Sequence, residues 1–528
     1  SKTPFPCSRK GNSKLSVWEF GPILPSGRQQ QHQEEEEQRM LFLRKPLLRL
    51  SSVLLLGSST TKAFLVPRFA VSNAVSRPLN CLFSSTRTEM EAEPTLRILT
   101  PDEVQKVEND PVDPVAREQA KAIIDDIKAN GVEALKATAV RLGDIEEAKK
   151  DEFVLTPAQL KEAFDALPAD QQALLQRTHD RIKHFADAQM ASLQPMETDI
   201  PDGRAGHKVD PVNVAGCYAP GGRYPLPSSV LMTAVTARAA GVPQVVVASP
   251  RPQPITLGAA HVAGADLFLA VGGAQSIAAM AFGVGVPACD IIVGPGNKWV
   301  TAAKSLVAGT CGIDMLAGPS EVLVIADETA DPDTIAADLL AQAEHDVEAR
   351  GLLVSPSDAV IAATNARLRA RLAELPTAPT AREAIKKGFA VKVADLEEAV
   401  RVSDVVGPEH LEIQTADSQA VADRCRSYGG LFVGRRSAEA LGDYGAGPNH
   451  VLPTGGTAKY TGGLSVFTFL RVRTWMRIDA DGPGARRLAE DSAALARLEG
   501  LEGHARSAEC RLPSAEGGEP GAKKARQS

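Results

Sequence analysis

Residues 266–307 read DLFLAVGGAQSIAAMAFGVGVPACDIIVGPGNKWVTAAKSLV. An apolar run at 266–271 ends in Gly272-Gly273 and is followed by a helical segment at 275–282. A second run at 290–293 ends in Gly294-Pro295-Gly296, with a helix over 297–307. Short apolar runs of this kind, each stopped by glycine and followed by a helix, read as strands of a parallel sheet covered on both faces. The uncharged stretch 267–289 has the length of a membrane span, but Gly272, Gly273, Gln275, Ser276 and Pro287 interrupt it. A buried strand followed by a buried helix explains it better.

The alternation continues outward in both directions. Upstream lie an apolar run at 213–216, a Gly/Pro-rich loop at 217–227, a helix at 229–241, the strand QVVVAS at 244–249 and a helix at 255–264. Downstream, a strand at 321–326 precedes a helix at 332–345, for which Asp331 is the candidate N-cap, and a further strand at 351–355. This is an α/β chain with room for two parallel-sheet units side by side. The 528 residues carry 58 basic and 65 acidic side chains, a net charge of −7, and 44% of them are apolar. That composition excludes a wholly disordered chain. It leaves no electrostatic footprint for nucleic acid, and aromatics at 4% leave few platforms for base stacking. Neither nucleic acid nor a membrane is expected as a partner. The seven cysteines are scattered singly with no CxxC pair, so neither a zinc knuckle nor a disulfide framework is readable.

Three strands end in glycine-rich loops: Tyr218-Ala-Pro-Gly-Gly222, Gly272-Gly-Ala-Gln275 and Gly294-Pro-Gly-Asn297. Glycines at the carboxyl ends of strands allow close backbone approach, and helix N-termini favour phosphate, so a nucleotide crevice is expected there. No GxGxxG fingerprint and no GxxxxGK[ST] loop is present, which excludes a P-loop. Gln342 and His345 stand three apart on a helix, so one face presents an amide oxygen and an imidazole. With Asp443 and the distant His504 they form a candidate N/O ligand set suited to Zn²⁺, with Mn²⁺ or Co²⁺ tolerated. Glu409-His410 follows the apolar pair Val405-Val406 and the turn Gly407-Pro408, and reads as a general-base pair held beyond a strand. His450 is a candidate contact near that site. Cys217 has no local basic neighbour and is read as structural, and His179, His184, His207 and His261 show no partner pattern.

The segments CYAPGGRYPLPSSVLM (217–232), VGGAQSIAAMAFG (271–283), VGPGNKWVTAAK (293–304), AGPSEVLVIAD (317–327), DLLAQAEHD (338–346), GPEHLEIQ (407–414) and GDYGAGPNHVLPT (442–454) occur in this order across most of residues 95–512. Together they resemble the histidinol dehydrogenase family. The resemblance implies NAD-dependent oxidation of L-histidinol to L-histidine through a bound aldehyde, the final step of histidine biosynthesis. It implies one Zn²⁺ per subunit on Gln342, His345, Asp443 and a partner's His504, in a homodimer with exchanged C-terminal parts. It further implies Glu409 as the base that activates water and His410 as the base for the alcohol proton. Substrate would meet Ser320, Gln342, His345, His410, Asp443, Glu499 and His504, and NAD would meet Tyr218, Gln275 and Asn297. Residues 222–227 and 461–466 resemble a less common branch of the fold, whose relatives oxidise sulfopropanediol. Gly407-Pro408 before the base pair, together with Glu499 and His504, fit the histidinol type.

The implied architecture is two Rossmann-like domains with small helical elements at both ends. A helical arm (95–117) leads into a first domain (118–217 and 321–464) that carries the metal and catalytic residues. The second domain (218–320) binds NAD, and an exchanged element (465–512) and a disordered tail (513–528) follow. At the start, a Gln/Glu run at 29–38 reads as low complexity. Between Met40 and Thr88 there is no acidic residue, and a short apolar segment precedes a Ser/Arg-rich stretch. This resembles a bipartite plastid presequence and sets the expected location; a mitochondrial presequence or a cytoplasmic location is the alternative.

Overall fold

The computed structural model describes residues 94–104, 112–221 and 224–512. The Gln/Glu run, the presequence and the tail from 513 onward lie outside the described residues.

Two six-stranded sheets carry the fold. In the first, the strands run in the order Arg97–Leu99, Phe389–Lys392, Arg350–Ser355, Glu321–Ala326, His410–Gln414, Gly430–Val433, all parallel. From Glu321–Ala326 the chain moves outward twice, returns across the centre to His410–Gln414 and ends at Gly430–Val433. The second sheet has the order Val154–Leu155, Leu267–Leu269, Gln244–Ala248, Val214–Tyr218, Ile291–Val293, Gly312–Ile313, with only the Val154–Leu155 edge antiparallel. Its winding is the same: start in the centre, move out, cross back. Both are doubly wound sheets with a central switch point. The strands at both centres are buried on each face, which explains why they read as unbroken apolar runs.

The two sheets divide the chain differently from the expected domain plan. Residues 118–217 belong with the second sheet, not with 321–464. The helices Pro114–Arg141, Pro157–Asp165 and Ala169–Ser192 pack on the helices of that sheet, and Leu160, Leu175 and Ile182 enter its core. The strand Val214–Tyr218 is its centre. The stretch 451–469 likewise sends Val451, Leu464, Val466 and Phe469 into that core. The expected helical arm at 95–117 begins as an edge strand, Arg97–Leu99, added to the first sheet. Local pattern could not reveal either fact, because both are set by pairing across long stretches of chain.

An antiparallel ribbon, Met196–Ile200, Gly203–Pro211 and Leu470–Ile478, stands beside the second sheet. The C-terminal element is therefore a strand followed by two helices, Pro483–Leu498 and Glu502–Glu509, that pack on each other. Among the large apolar side chains of these helices, Leu488, Leu495, Leu498 and Leu501 are exposed, and Leu498 is 86% exposed. Between the sheets, Ala317 accepts a hydrogen bond from Thr301 Oγ1 at 2.8 Å, and Gly318 N–H donates to Thr454 Oγ1.

Candidate active site

The first sheet places its polar groups at the amino ends of its strands. The helix Leu396–Val406 is capped by Asp395 at its start, and Gly407, at φ 62°, ends it in the left-handed conformation. Pro408 and Glu409 follow, and His410 opens the strand His410–Gln414. The expected position beyond a strand is thus corrected: Glu409-His410 follows a helix and starts a strand. Val405-Val406 reads as strand in isolation, but Ala399, Val400, Val402 and Ser403 are buried at helical spacing.

Glu409 is buried, and its Oε2 accepts the Glu321 N–H at 2.9 Å. Burial pushes its carboxyl up to about 8, with the nearby His410 opposing that rise. His410 Nδ1 lies 3.2 Å from the Glu321 carbonyl oxygen and 3.1 Å from the amide of Gln342. Its Nε2 is buried, has no hydrogen-bond partner among the described residues, and lies 3.7 Å from Asp443 Oδ1. Burial disfavours the charged ring, but Glu409, Glu439 and Asp443 outweigh it and hold His410 up to about 10.

Gln342 is fully buried near the end of the helix Pro332–Ala343, and His345 lies just past that end. His345 Nε2 lies 3.4 Å from Asp443 Oδ2 and 3.5 Å from Glu439 Oε1. Burial alone would lower its pKa, but the two carboxylates raise it to about 10. Asp443 is held well below the ordinary carboxylate range: burial opposes this, and the neighbouring His345 and His410 rings overcome it. The Gln342 amide lies between His410 Nδ1, at 3.1 Å, and the Glu439 carboxylate. Three of the four expected ligands therefore share one site, and Glu439 joins them. His345, Glu439 and Asp443 bring ligand atoms within 4.8 Å of one another. One imidazole, two carboxylates and an amide match the donor chemistry of a Zn²⁺-type ion. The buried acids also need a compensating cation. The residues fit a metal.

Glu439 was missed in the sequence, although it stands four before Asp443, on the same face of the helix Glu439–Asp443. Its N–H donates to Glu412 Oε1 at 2.8 Å, and Gln414 Nε2 bridges Glu412 and Asp338. His450 Nδ1 lies 2.8 Å from the Asp443 carbonyl oxygen, so it steadies the acid's backbone. A cavity of about 230 Å³ opens beside these groups, lined by His410, Phe432, Asp443, Asn449, His450 and Leu452. Ser320 lies next to Glu321, and its carbonyl accepts the Arg350 N–H at 2.9 Å. Glu499 and His504 are exposed on the C-terminal helices, where both line a surface groove, and this chain does not bring them to the cluster.

The second sheet presents the three glycine loops at its carboxyl ends. Tyr218 Oη accepts the Gly273 N–H at 3.3 Å, and burial pushes the phenol up to about 12, so it stays protonated. Asn297 caps the helix Lys298–Val307 through Oδ1, which leaves its amide nitrogen for other use. Gly294, at φ 115°, allows its loop to lie against Tyr218; a Cβ there would come within 2.0 Å of the Tyr218 carbonyl oxygen. Lys304 Nζ holds the Gly294 carbonyl at 3.0 Å and pairs with the buried Asp314, whose other oxygen accepts the Gly294 N–H at 2.7 Å. Cys217 is fully buried, and burial pushes its thiol up to about 12, as expected of a structural residue.

Two unlike halves, an acid-imidazole cluster and a set of nucleotide-type loops, thus stand on one chain. The family model for histidinol dehydrogenase matches residues 107–512. The chain belongs to the histidinol dehydrogenase family. It is an oxidoreductase of that family. Histidinol dehydrogenase of Thermus thermophilus is 44% identical over 405 residues, covering 76% of this chain and 95% of the relative. Sulfopropanediol 3-dehydrogenase of Ruegeria pomeroyi is 40% identical over 406 residues, covering 75% of this chain and 92% of the relative. The crystal structure of histidinol dehydrogenase from Elizabethkingia anophelis superposes with a TM-score of 0.73 at 27% identity, covering 79% of this chain and 98% of that one. Among the described residues no helix is long and apolar enough to cross a membrane.

Proposed function

We propose that the chain oxidises L-histidinol to L-histidine in two hydride transfers to NAD⁺, with the aldehyde kept bound between them. The observation that carries this reading is His410: Nδ1 faces the Glu321 carbonyl, and Nε2 is buried without a partner beside the cavity. An N–H at Nδ1 leaves the Nε2 lone pair to take the alcohol proton. Glu409, anchored by the Glu321 N–H, is the base that activates water once the aldehyde has formed. Gln342, His345 and Asp443 would hold Zn²⁺, with Glu439 bracing His345. The bound ion would fix the substrate and offset the carboxylates that keep His345 and His410 protonated. Tyr218, Gln275 and Asn297 mark the NAD crevice.

His504 and Glu499 complete the site from the partner of a homodimer. The exposed leucines of the C-terminal helices support that reading, since a monomer rarely leaves such a row uncovered. The step belongs to histidine biosynthesis in a plastid, reached through the presequence; fusing residues 1–93 to a fluorescent protein tests the address. A second reading, oxidation of another small diol such as sulfopropanediol, draws on the 40% identical relative. Purified residues 89–512, given each substrate with NAD⁺, separate the two. Two NADH per L-histidinol with no free aldehyde supports the first, and turnover of the sulfonate alone refutes it.

A further inference from the structure

Gln275 sits in the first turn of the helix Gly273–Phe282 and is 2% exposed. Its Nε2 donates to Asp144 Oδ2 at 2.7 Å, and the same oxygen accepts the Gly272 N–H at 3.0 Å. Asp144 comes from far upstream, where its own N–H returns to the Ala139 carbonyl at the end of the helix Pro114–Arg141. A carboxylate only accepts, so the amide must turn its NH₂ toward Asp144. Gln275 Oε1 is thereby forced the other way, and it is buried without a partner among the described residues. It lies over Gly273, where a Cβ would come within 2.7 Å of it. On the other side of Gly273, the Tyr218 hydroxyl has accepted the Gly273 N–H and keeps its own proton for a ligand. The loop thus presents one acceptor and one donor on either side of a residue that has no side chain. An unmatched buried acceptor costs free energy until a donor meets it.

We propose that Asp144 is a positioning residue of the cofactor crevice: it sets the polarity of the Gln275 amide so that an oxygen, not an NH₂, faces a hydrogen-bond donor of the pyridine nucleotide. That donor is the carboxamide NH₂ or a ribose hydroxyl. The inference rests on the NAD reading above and adds a residue that touches no ligand.

The test uses the full enzyme and titrates NAD⁺ by calorimetry and by steady-state kinetics. Asp144→Ala removes the oxygen that accepts both the Gly272 N–H and the Gln275 amide, and so releases that amide to turn over. The dissociation constant and KM for NAD⁺ should then rise about tenfold, the size of one lost hydrogen bond, with kcat and the KM for L-histidinol nearly unchanged. The double variant Asp144→Asn with Gln275→Glu restores an outward acceptor, because the introduced amide can donate to one carboxylate oxygen and leave the other free. It should recover most of the NAD⁺ affinity, which a merely structural role for Asp144 would not produce. Repeating the titrations with 3-acetylpyridine adenine dinucleotide, which lacks the carboxamide NH₂, identifies the donor. Equal losses for both cofactors assign a ribose hydroxyl, and a loss confined to NAD⁺ assigns the carboxamide. Unchanged NAD⁺ affinity in Asp144→Ala, or no recovery in the double variant, overturns the proposal. If the wild-type enzyme itself bound no NAD⁺, the cofactor reading would fall with it.

Discussion

Replacing Glu409 by Gln isolates the second half of the reaction. The carboxylate accepts the Glu321 N–H at 2.9 Å, and a Gln oxygen can take that bond over, so the junction between helix and strand should survive. What disappears is a buried base whose carboxyl sits at about 8. Such a group is ionised in about a tenth of molecules at pH 7 and about nine tenths at pH 9. General-base catalysis contributes roughly 10²–10⁴ in rate, or about 2.7–5.5 kcal/mol. The oxidation of aldehyde to acid should therefore slow by that factor in Glu409→Gln. The first oxidation depends on His410 and should change by less than about tenfold. Single-turnover stopped flow with excess NAD⁺ distinguishes the steps. Wild type should form two NADH in close succession, and the variant one NADH followed by a long pause, with the aldehyde trapped by semicarbazide on quenching. The wild-type second phase should weaken as pH falls through about 8, while the residual second phase of the variant should be flat there. Two NADH at the wild-type rate, or a defect confined to the first phase, would refute the assignment.

His345 in the metal-free enzyme is raised to about 10, so it carries a proton that an incoming ion must displace. Zinc affinity should climb by up to about tenfold per pH unit between 7 and 9; a pH-independent affinity, measured by competition with a chelator, would contradict the ligand assignment. Asp314→Ala strands Lys304, which is 2% exposed, in the interior. A loss of about 3–5 kcal/mol in urea unfolding is expected, and a loss under about 1 kcal/mol would remove the pair as the clamp of the Gly294 loop. Glu409→Gln and His504→Ala chains, each inactive in full turnover, should recover activity when unfolded and refolded together, because a mixed dimer holds one site free of both changes. No recovery would mean that both residues serve the same chain's site.

The strands and glycine loops of the second sheet were legible because apolar runs broken by glycine have one simple reading, and 267–269, 273–282 and 291–293 folded accordingly. The helix before Gly407 was hidden by Val405-Val406, whose β-branched side chains point to a strand when read alone. Gln342, His345 and Asp443 do converge, but Glu439 joins them only through the helix Glu439–Asp443, which is too short to leave a periodic signal. Asp144 could not have been found by pattern, since it meets Gly272 across 128 residues of chain. The membership of 118–217 was hidden for the same reason: sheet partners are chosen by packing, not by adjacency.

The segment joining Gly312–Ile313 to Glu321–Ala326 acts as a ruler. Asp314, at one end, clamps the glycine loop of one half, and Glu321, at the other, anchors both Glu409 and His410. On the proposed reading, its length sets the gap a hydride must cross from carbinol carbon to pyridine ring. On that reading, lengthening it by a few residues should leave each half able to bind its own small molecule while slowing transfer between them.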